Sequence, residues 1–491
     1  MSKQFPLYFI LSLLMGGAVA GCNTDSDVVS IDNNYVNCAV TSFSLQRDDS
    51  VAYRLDSVFF AIDLVGAEVF NADSLPVGTD VSALLVTVGT ESAKECKVTY
   101  PLRNADRATT VNLIEHPNDS INFSKGPVKL EIVSYNGQAR REYTVRVNVH
   151  KSVPDTLLWE TERPLDPEME GMTAQKSVEW RGAVYCFATD GTSASMRWSP
   201  TWEGDFGRAD ITLPGGARIE TITPAGDELC CVGADGELYS TSTCLAWTPT
   251  GVKMDHVYGE YEGRVIGAAK DTEGTWMCVT YPASEPKALP AGCPVSGTSQ
   301  MVEFTSKWNV TPTAVVVGGR NAAGELTGES WAYDGSDWGR LGASKALEVE
   351  GAVLFPYNTP KVDNAWRVTD VSVLMVMCGR KADGEDDEVV MNDVAYVSPD
   401  FGITWKRADA TLQPSEEFTA VSGAQAYIIK HELSFDPSEP LPAHAPQRVV
   451  APVTERECPY IYMYGGTDAD GKLLTSCRRG VINRYTFRPI Y

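Results

Sequence analysis

Three stretches in the second half of the chain repeat one pattern, and that repeat constrains the fold more than any other feature. In VVVGGRNAAGEL (315–326), VMCGRKADGED (376–386) and YMYGGTDADGKL (462–473), an apolar β-type run ends at Gly319, Gly379 or Gly466. Another glycine follows five positions later, at Gly324, Gly384 or Gly471. Glycines placed this way turn the chain where a side chain would clash. A compressed version, ELCCVGADGELYS, surrounds Gly233 and Gly236, and further apolar runs begin at AVYCFATDG (183) and RVIGAAKDTEGTWMCV (264). A unit repeated at such spacing cannot bury its apolar face alone and must pack against its neighbours.

A second run and a tryptophan follow several of these turns. Tyr333 and Asp334 precede Trp338, Tyr396 precedes Trp405, and Tyr239 precedes Trp247. The combination resembles kelch-like propeller blades, with the glycine pair ending an inner strand and the tryptophan on an outer one. At roughly 40–50 residues per blade, the span from Asp155 to Tyr491 allows six to eight blades. Six starts are visible, so a six-bladed β-propeller is expected. The long last interval, holding FTAVSGAQAYIIK and a proline-rich stretch at 435–447, leaves seven open.

Residues 38–150 have a different texture. CAVTSFSLQ, VFFAIDL, SALLVTVG, CKVTY, TTVNLI, VKLEIVS and REYTVRVNVH are short β-type runs, and Tyr143, Val145, Val147 and Val149 alternate as a strand with one buried face requires. Asn136 and Gly137 mark a hairpin. No stretch there combines helical periodicity with caps, so the all-β reading is an immunoglobulin-like β-sandwich followed by the propeller. Pro154, Pro164 and Pro167 argue against a long strand between them. Residues 151–170 are therefore expected to be a linker, with packing of Leu157, Leu158 and Trp159 against the next domain as the alternative, and the propeller over 171–491.

The extreme N-terminus reads as an export signal. Lys3, the apolar Phe5–Met15 run and the VAGC sequence that ends at Cys22 form a signal peptide (1–21) with a lipobox, which predicts cleavage before Cys22 and acylation of that cysteine. The acidic, amide-rich residues 22–37 read as a flexible tether. An acidic stretch directly after a lipidated cysteine resembles the export pattern of Bacteroidetes surface lipoproteins. It implies an outer-membrane lipid anchor facing the cell exterior, with a periplasm-facing orientation as the alternative.

Composition narrows the partners. With 41 Lys and Arg against 65 Asp and Glu, the net charge of -24 repels nucleic acid and anionic membrane surfaces. Twelve cysteines, one reserved for lipid, leave an odd number, and none forms a CxxC pair. Cys38 and Cys96 are candidates for a bridge, and Cys230 and Cys231 should face opposite ways in a strand. Five histidines, at 116, 150, 256, 431 and 444, give no metal-ligand spacing. No cofactor or metal site is expected. Asp468 and Asp470 lack the later ligands of an EF-hand and read as a hairpin turn.

YVSPDFGITW (396–405) places Ser398, Asp400, Gly402, Thr404 and Trp405 in an S-x-D-x-G-x-T-W arrangement that resembles the Asp-box of bacterial neuraminidase-type repeats. The resemblance implies a peripheral turn: Asp400 accepts backbone hydrogen bonds, Gly402 adopts positive φ and Trp405 fills a gap between sheets. It does not imply a catalytic acid. A sialidase also needs an arginine triad, a Tyr and Glu pair and an early Arg-Ile-Pro motif, whereas here only Arg488-Pro489 stands near the C-terminus. VVVGGRN lacks a dinucleotide fingerprint, and no catalytic residues are assigned.

Taken together, with FNADSLPVGTDVSALLVTV (70–88) as its most characteristic N-terminal stretch, the chain resembles Bacteroidetes outer-membrane lipoproteins that join an immunoglobulin-like domain to a kelch-like propeller. That resemblance implies an envelope protein in a glycan-rich habitat. The expected function is a binding module for carbohydrate or a partner protein, because propellers gather loops from several blades on one face. A glycan-active enzyme with a central pocket and a structural subunit of an envelope assembly are the alternatives.

Overall fold

The computed structural model describes residues 36–103, 107–151, 153–160, 163–164, 171–201, 204–305, 311–362, 368–381, 389–434, 455–474 and 476–483. The signal peptide, Cys22 and most of the 22–37 tether lie outside them, as does Arg488. The described regular structure is β, broken only by three-residue 3-10 turns. Among the described residues no helix is long and apolar enough to cross a membrane. The chain divides into two compact units, one formed within residues 1–146 and the other chiefly by residues 147–491.

In the first unit, Val40–Leu45 pairs with Val86–Thr90. A six-stranded sheet runs in the order Phe60–Asp63, Glu68–Asn71, Arg140–Arg146, Val128–Ser134, Ala93–Pro101 and Ala108–Asn112. Leu130, Ile132, Tyr143 and Val145 are buried at alternate positions on neighbouring strands. The hydroxyl of Tyr143 donates to the Cys38 carbonyl at 3.0 Å, so this buried aromatic meets its polar need at a strand entry. Asn136 and Gly137 do form a turn: Gly137 has φ +73°, and the Asn136 side chain accepts the Gln138 N–H at 2.9 Å. Cys38 and Cys96 are both free thiols, a correction to the expected bridge.

Among the described residues the second unit contains six antiparallel sheets in chain order. Sheet I comprises Ala174–Trp180, Ala183–Thr189, Ala194–Ser199 and Gly207–Ile211, and sheet II Arg218–Ala225, Glu228–Val232, Glu237–Thr241 and Thr248–Lys253. Sheet III comprises His256–Tyr261, Arg264–Lys270, Trp276–Tyr281 and Lys287–Ala288, and sheet IV Val302–Phe304, Thr313–Val317, Glu329–Tyr333 and Trp338–Ala343. Sheet V comprises Val353–Val362, Val368–Met377, Tyr396–Ser398 and Lys406–Arg407. Sheet VI is built from Gln425–Ser434, Glu455–Tyr464 and Ser476–Ile482, and its outer edge is supplied by Leu157–Trp159 and Arg163–Pro164.

An apolar cluster fills each junction in turn: I with II around Phe187 and Ile222, II with III around Val232 and Val265, III with IV around Ile266 and Val316. The series continues with IV and V around Val317 and Leu374, and V and VI around Phe355 and Ile461. Val184 and Cys186 of sheet I then meet Tyr462, Tyr464 and Cys477 of sheet VI, so the series returns to its start. Each second strand lies between two such clusters. Cys231 faces sheet I while Cys230 faces sheet III, the alternation expected of adjacent strand residues.

Residues 157–159 and 163–164 correct the linker expectation for 151–170, because they are strands of sheet VI. Trp159 pairs with Gly480 in a register that lays its ring where a Cβ at Gly480 would approach to 2.8 Å. Asn483 accepts the Thr156 N–H at 2.6 Å, and Arg479 pairs with Glu160 at 2.6 Å. The prolines are compatible with this because the strands are short and sit at a sheet edge.

Candidate functional site

Residues from five of the sheets, most of them on first strands, wall a channel with a cavity of about 460 Å³. Lys176, Ser177 and Glu179 come from sheet I, Thr223 from II, and Tyr258, Glu260 and Glu262 from III. Gln300, Met301 and Glu303 come from IV or its approach, and Gln425 and Tyr427 from VI.

Much of the polar lining is committed to the scaffold. Gln300 donates to the Ala426 carbonyl at 2.7 Å and accepts the Ala426 N–H at 2.9 Å. Gln425 accepts the Ser177 N–H at 2.9 Å, and Tyr427 donates to the Ser177 carbonyl at 2.5 Å, tying sheet VI to sheet I. Tyr258 is buried and donates to the Pro294 carbonyl at 2.7 Å.

The ionisable groups are less committed. Glu260 is held above the usual carboxylate range by burial, with the negative charge of Glu303 adding to the effect and backbone hydrogen bonds from Gly226 and Gly263 opposing it. Lys176 is pulled down to about 8 by desolvation, partly opposed by Glu220. His256, beside the channel, is held neutral near 3 by burial and by the positive charges of Arg218 and Lys176, and its Nε2 contacts Thr298 Oγ1 at 3.0 Å. A second cavity of about 530 Å³ lies at the seam of sheets I and VI, lined in part by Arg181, Pro200, Thr201, Ile429 and Tyr462.

The Asp-box residues come together elsewhere, in the turn between the third and fourth strands of sheet V. Asp400 accepts the Thr404 N–H at 2.8 Å and hydroxyl at 2.7 Å, and the Ser398 hydroxyl at 2.9 Å. Ser398 Oγ in turn accepts the Gly402 N–H at 2.7 Å. Partial burial opposes ionisation of Asp400, but these bonds outweigh it and hold the carboxyl below its usual range. Gly402 has φ +101° and Phe401 φ +56°. Phe401 stacks on Phe304 with ring centroids 4.2 Å apart, and Trp405 Nε1 donates to Ser330 Oγ at 3.3 Å. The turn thus packs sheet V onto sheet IV, and none of its residues lines the channel.

Asp468 likewise accepts the N–H groups of Asp470 and Lys472, at 3.1 and 2.9 Å. Asn321 does the same with Ala323 and Glu325, at 2.9 and 3.1 Å, so the motif works with a neutral side chain. Among the described residues no three His, Cys, Asp or Glu side chains converge as a metal-holding group.

Sequence reasoning missed the channel residues. They stand on first strands such as AQKSVEW and HVYGEY, where polar residues interrupt the apolar pattern just before each second strand. That interruption is the one signal that could have found them.

Residues 153–490 match the family described as the DUF6242 beta propeller domain, and residues 30–147 match the DUF6242 N-terminal domain. The chain belongs to the DUF6242 family. No curated protein matches it. Among solved structures, this DUF6242 chain is similar to a thermostable family-43 glycoside hydrolase at 9% identity and a TM-score of 0.28, covering 63% of this chain and 88% of that one. It is similar to the N-terminal domain of Nup159 at 11% identity and a TM-score of 0.30, covering 68% and 97%. A Trypanosoma rangeli sialidase in complex with the inhibitor DANA matches at 11% identity and a TM-score of 0.24, covering 71% of this chain and 57% of the sialidase. Likenesses this distant assign no activity to the DUF6242 chain.

Proposed function

We propose that this chain is a cell-envelope lipoprotein, anchored through Cys22, whose propeller binds carbohydrate in its central channel. The observation that carries the binding role is the channel itself: a cavity of about 460 Å³ with an apolar part at Tyr258 and Met301 and a few polar groups at Lys176, Glu179, Glu260, Glu262 and Glu303. Such a mixture is the usual form of a small-molecule site. We read the six sheets as six blades, closed by the Leu157–Trp159 and Arg163–Pro164 strands on sheet VI, and the Asp-box as a scaffold turn between two of them. Glycan-array screening of the soluble chain, followed by titration of hits against Glu260→Gln and Glu303→Gln variants, tests the binding role. Hits whose affinity neither substitution changes would remove the channel from consideration.

A glycan-active enzyme is the second reading. Glu260, held protonated more readily by burial and, to a smaller degree, by the Glu303 charge, has the environment of a general acid. Hydrolysis of an array hit that disappears in Glu260→Gln would support it, and intact glycan after prolonged incubation would oppose it. The anchor is tested separately: Cys22→Ala should abolish lipid labelling, and protease shaving of intact cells reports whether the domains face outward.

A further inference from the structure

Among the described residues Lys176, on the first strand of sheet I, is the one lysine or arginine in the channel lining. Among the described residues no carboxylate lies within ion-pair distance of its ammonium, and no hydrogen bond engages it. Arg218, at the start of the first strand of sheet II, donates to the backbone carbonyls of Asp255 at 2.8 Å and Met254 at 3.1 Å. Among the described residues its hydrogen bonds therefore go to neutral acceptors. Both cations act on His256, which stays neutral and turns its Nε2 to Thr298. Glu220, exposed on the same strand as Arg218, is the counter-charge felt by Lys176.

Arg218 has a structural task, joining sheet II to sheet III. Lys176 has none, since Gln300, Gln425 and Tyr427 around it bond backbone groups of other strands. An ammonium kept without a partner in a partly desolvated channel destabilises the fold. An incoming carboxylate would offset that cost with charge-assisted hydrogen bonds. Glu179 and Glu260 stand near the far ends of their strands, Glu262 just past the end of its own, and Glu303 in the middle of a three-residue strand, so the wall combines one ammonium, third on the first strand of sheet I, with acidic groups gathered mainly toward strand ends. A ligand that offers a carboxylate to the ammonium and hydroxyl donors to the acidic groups matches both.

We propose that Lys176, supported by the charge of Arg218, is an anion subsite that holds the carboxylate of an acidic saccharide in the channel. This rests on the carbohydrate-binding reading and narrows it to uronic-acid-type sugars. The test is calorimetric titration of the full soluble chain carrying Cys22→Ser with trigalacturonate, its methyl ester and maltotriose. Trigalacturonate should bind, and methyl esterification should weaken it by about tenfold or more, as expected when a charge-assisted pair is lost. Lys176→Met should cause a similar loss while raising Tm, and Lys176→Arg should keep binding. In the unsubstituted lysine background, trigalacturonate should protect Lys176 from acylation by a succinimidyl ester, read by mass spectrometry. That readout stands if Lys176→Met fails to fold. Equal binding of acid and methyl ester, or acylation unaffected by bound ligand, would overturn the subsite. Maltotriose binding without trigalacturonate binding would overturn it and leave the carbohydrate reading intact. Binding of no saccharide would overturn both.

Discussion

Replacing Asp400 with Ala removes one carboxylate from three donors: the Thr404 N–H, the Thr404 hydroxyl and the Ser398 hydroxyl, all within 2.9 Å. Thr404 is exposed, so water re-solvates its groups and the net loss is well below three full bonds. A cost of about 1–2 kcal/mol follows from net hydrogen-bond values, or a Tm decrease on the order of 2–6 °C for a domain of this class. Trp405→Ala should cost more, about 2–3 kcal/mol, because the ring is only half-buried and leaves a smaller cavity than a fully buried aromatic. Asp400 also sets a pH dependence. Its folded-state carboxyl titrates below the usual range, so its contribution is present above the unfolded-state value near 4 and fades as pH falls through the lower folded-state value. Differential scanning calorimetry of wild type and Asp400→Asn from pH 7 to pH 2.5 should show two Tm values that converge at the acid end. A constant gap across that range, or loss of ligand binding in Asp400→Ala with Tm unchanged, would refute the scaffold role.

Gly318→Ala should lower stability by about 3 kcal/mol or more, since a Cβ there, at φ +65°, would sit 2.3 Å from the Val349 carbonyl oxygen. Gly324→Ala, also at positive φ but in open space, should cost only about 1 kcal/mol by thermal melting. Lys176→Met should raise stability at pH 7 by about 1–2 kcal/mol, because desolvation disfavours the ammonium. That gain should shrink as pH rises from about 8 toward the unfolded-state value near 10.4, and a variant less stable than wild type at pH 7 would contradict it. Burial pushes the thiols of Cys186, Cys230, Cys231 and Cys293 up to about 12, so they should resist iodoacetamide at pH 8 until denaturant is added.

The six starts visible in the sequence each fall on the second strand of a different sheet. The reason is burial. A second strand has an apolar cluster on both faces, so it reads as a continuous run such as Ala314–Val317 or Leu374–Met377, fully enclosed, and ends at a turn that needs glycine. First strands have one face on the channel and carry Lys176, Glu260 or Gln425 there, which breaks their pattern and hides both the strand and the site. Glu68–Asn71 in the N-terminal unit went unread because four residues give no usable period. The edge strands of sheet VI were hidden by Pro154, Pro164 and Pro167, whose local preference against long strands says nothing about the pairing of Leu157–Trp159 with Gly480–Ile482, more than 300 residues on in sequence. The Asp-box was legible because its bonds are local. The channel was not, because strands from five sheets, about 250 residues apart at the extremes of sheets I and VI, supply its wall.

Closure of the six-sheet ring by the segment ahead of sheet I is most directly tested by comparing thermal unfolding of residues 153–491 and 171–491. Removing residues 153–170 deletes Leu157, which is 6% exposed, the Trp159 ring on Gly480 and Phe418, and the Asn483 and Arg479 bonds to Thr156 and Glu160. The longer fragment should give one cooperative transition, and the shorter one should melt at least 10 °C lower, or not cooperatively, on the order of several kcal/mol of lost burial and pairing. Two fragments with coincident transitions would show that the ring does not depend on these strands.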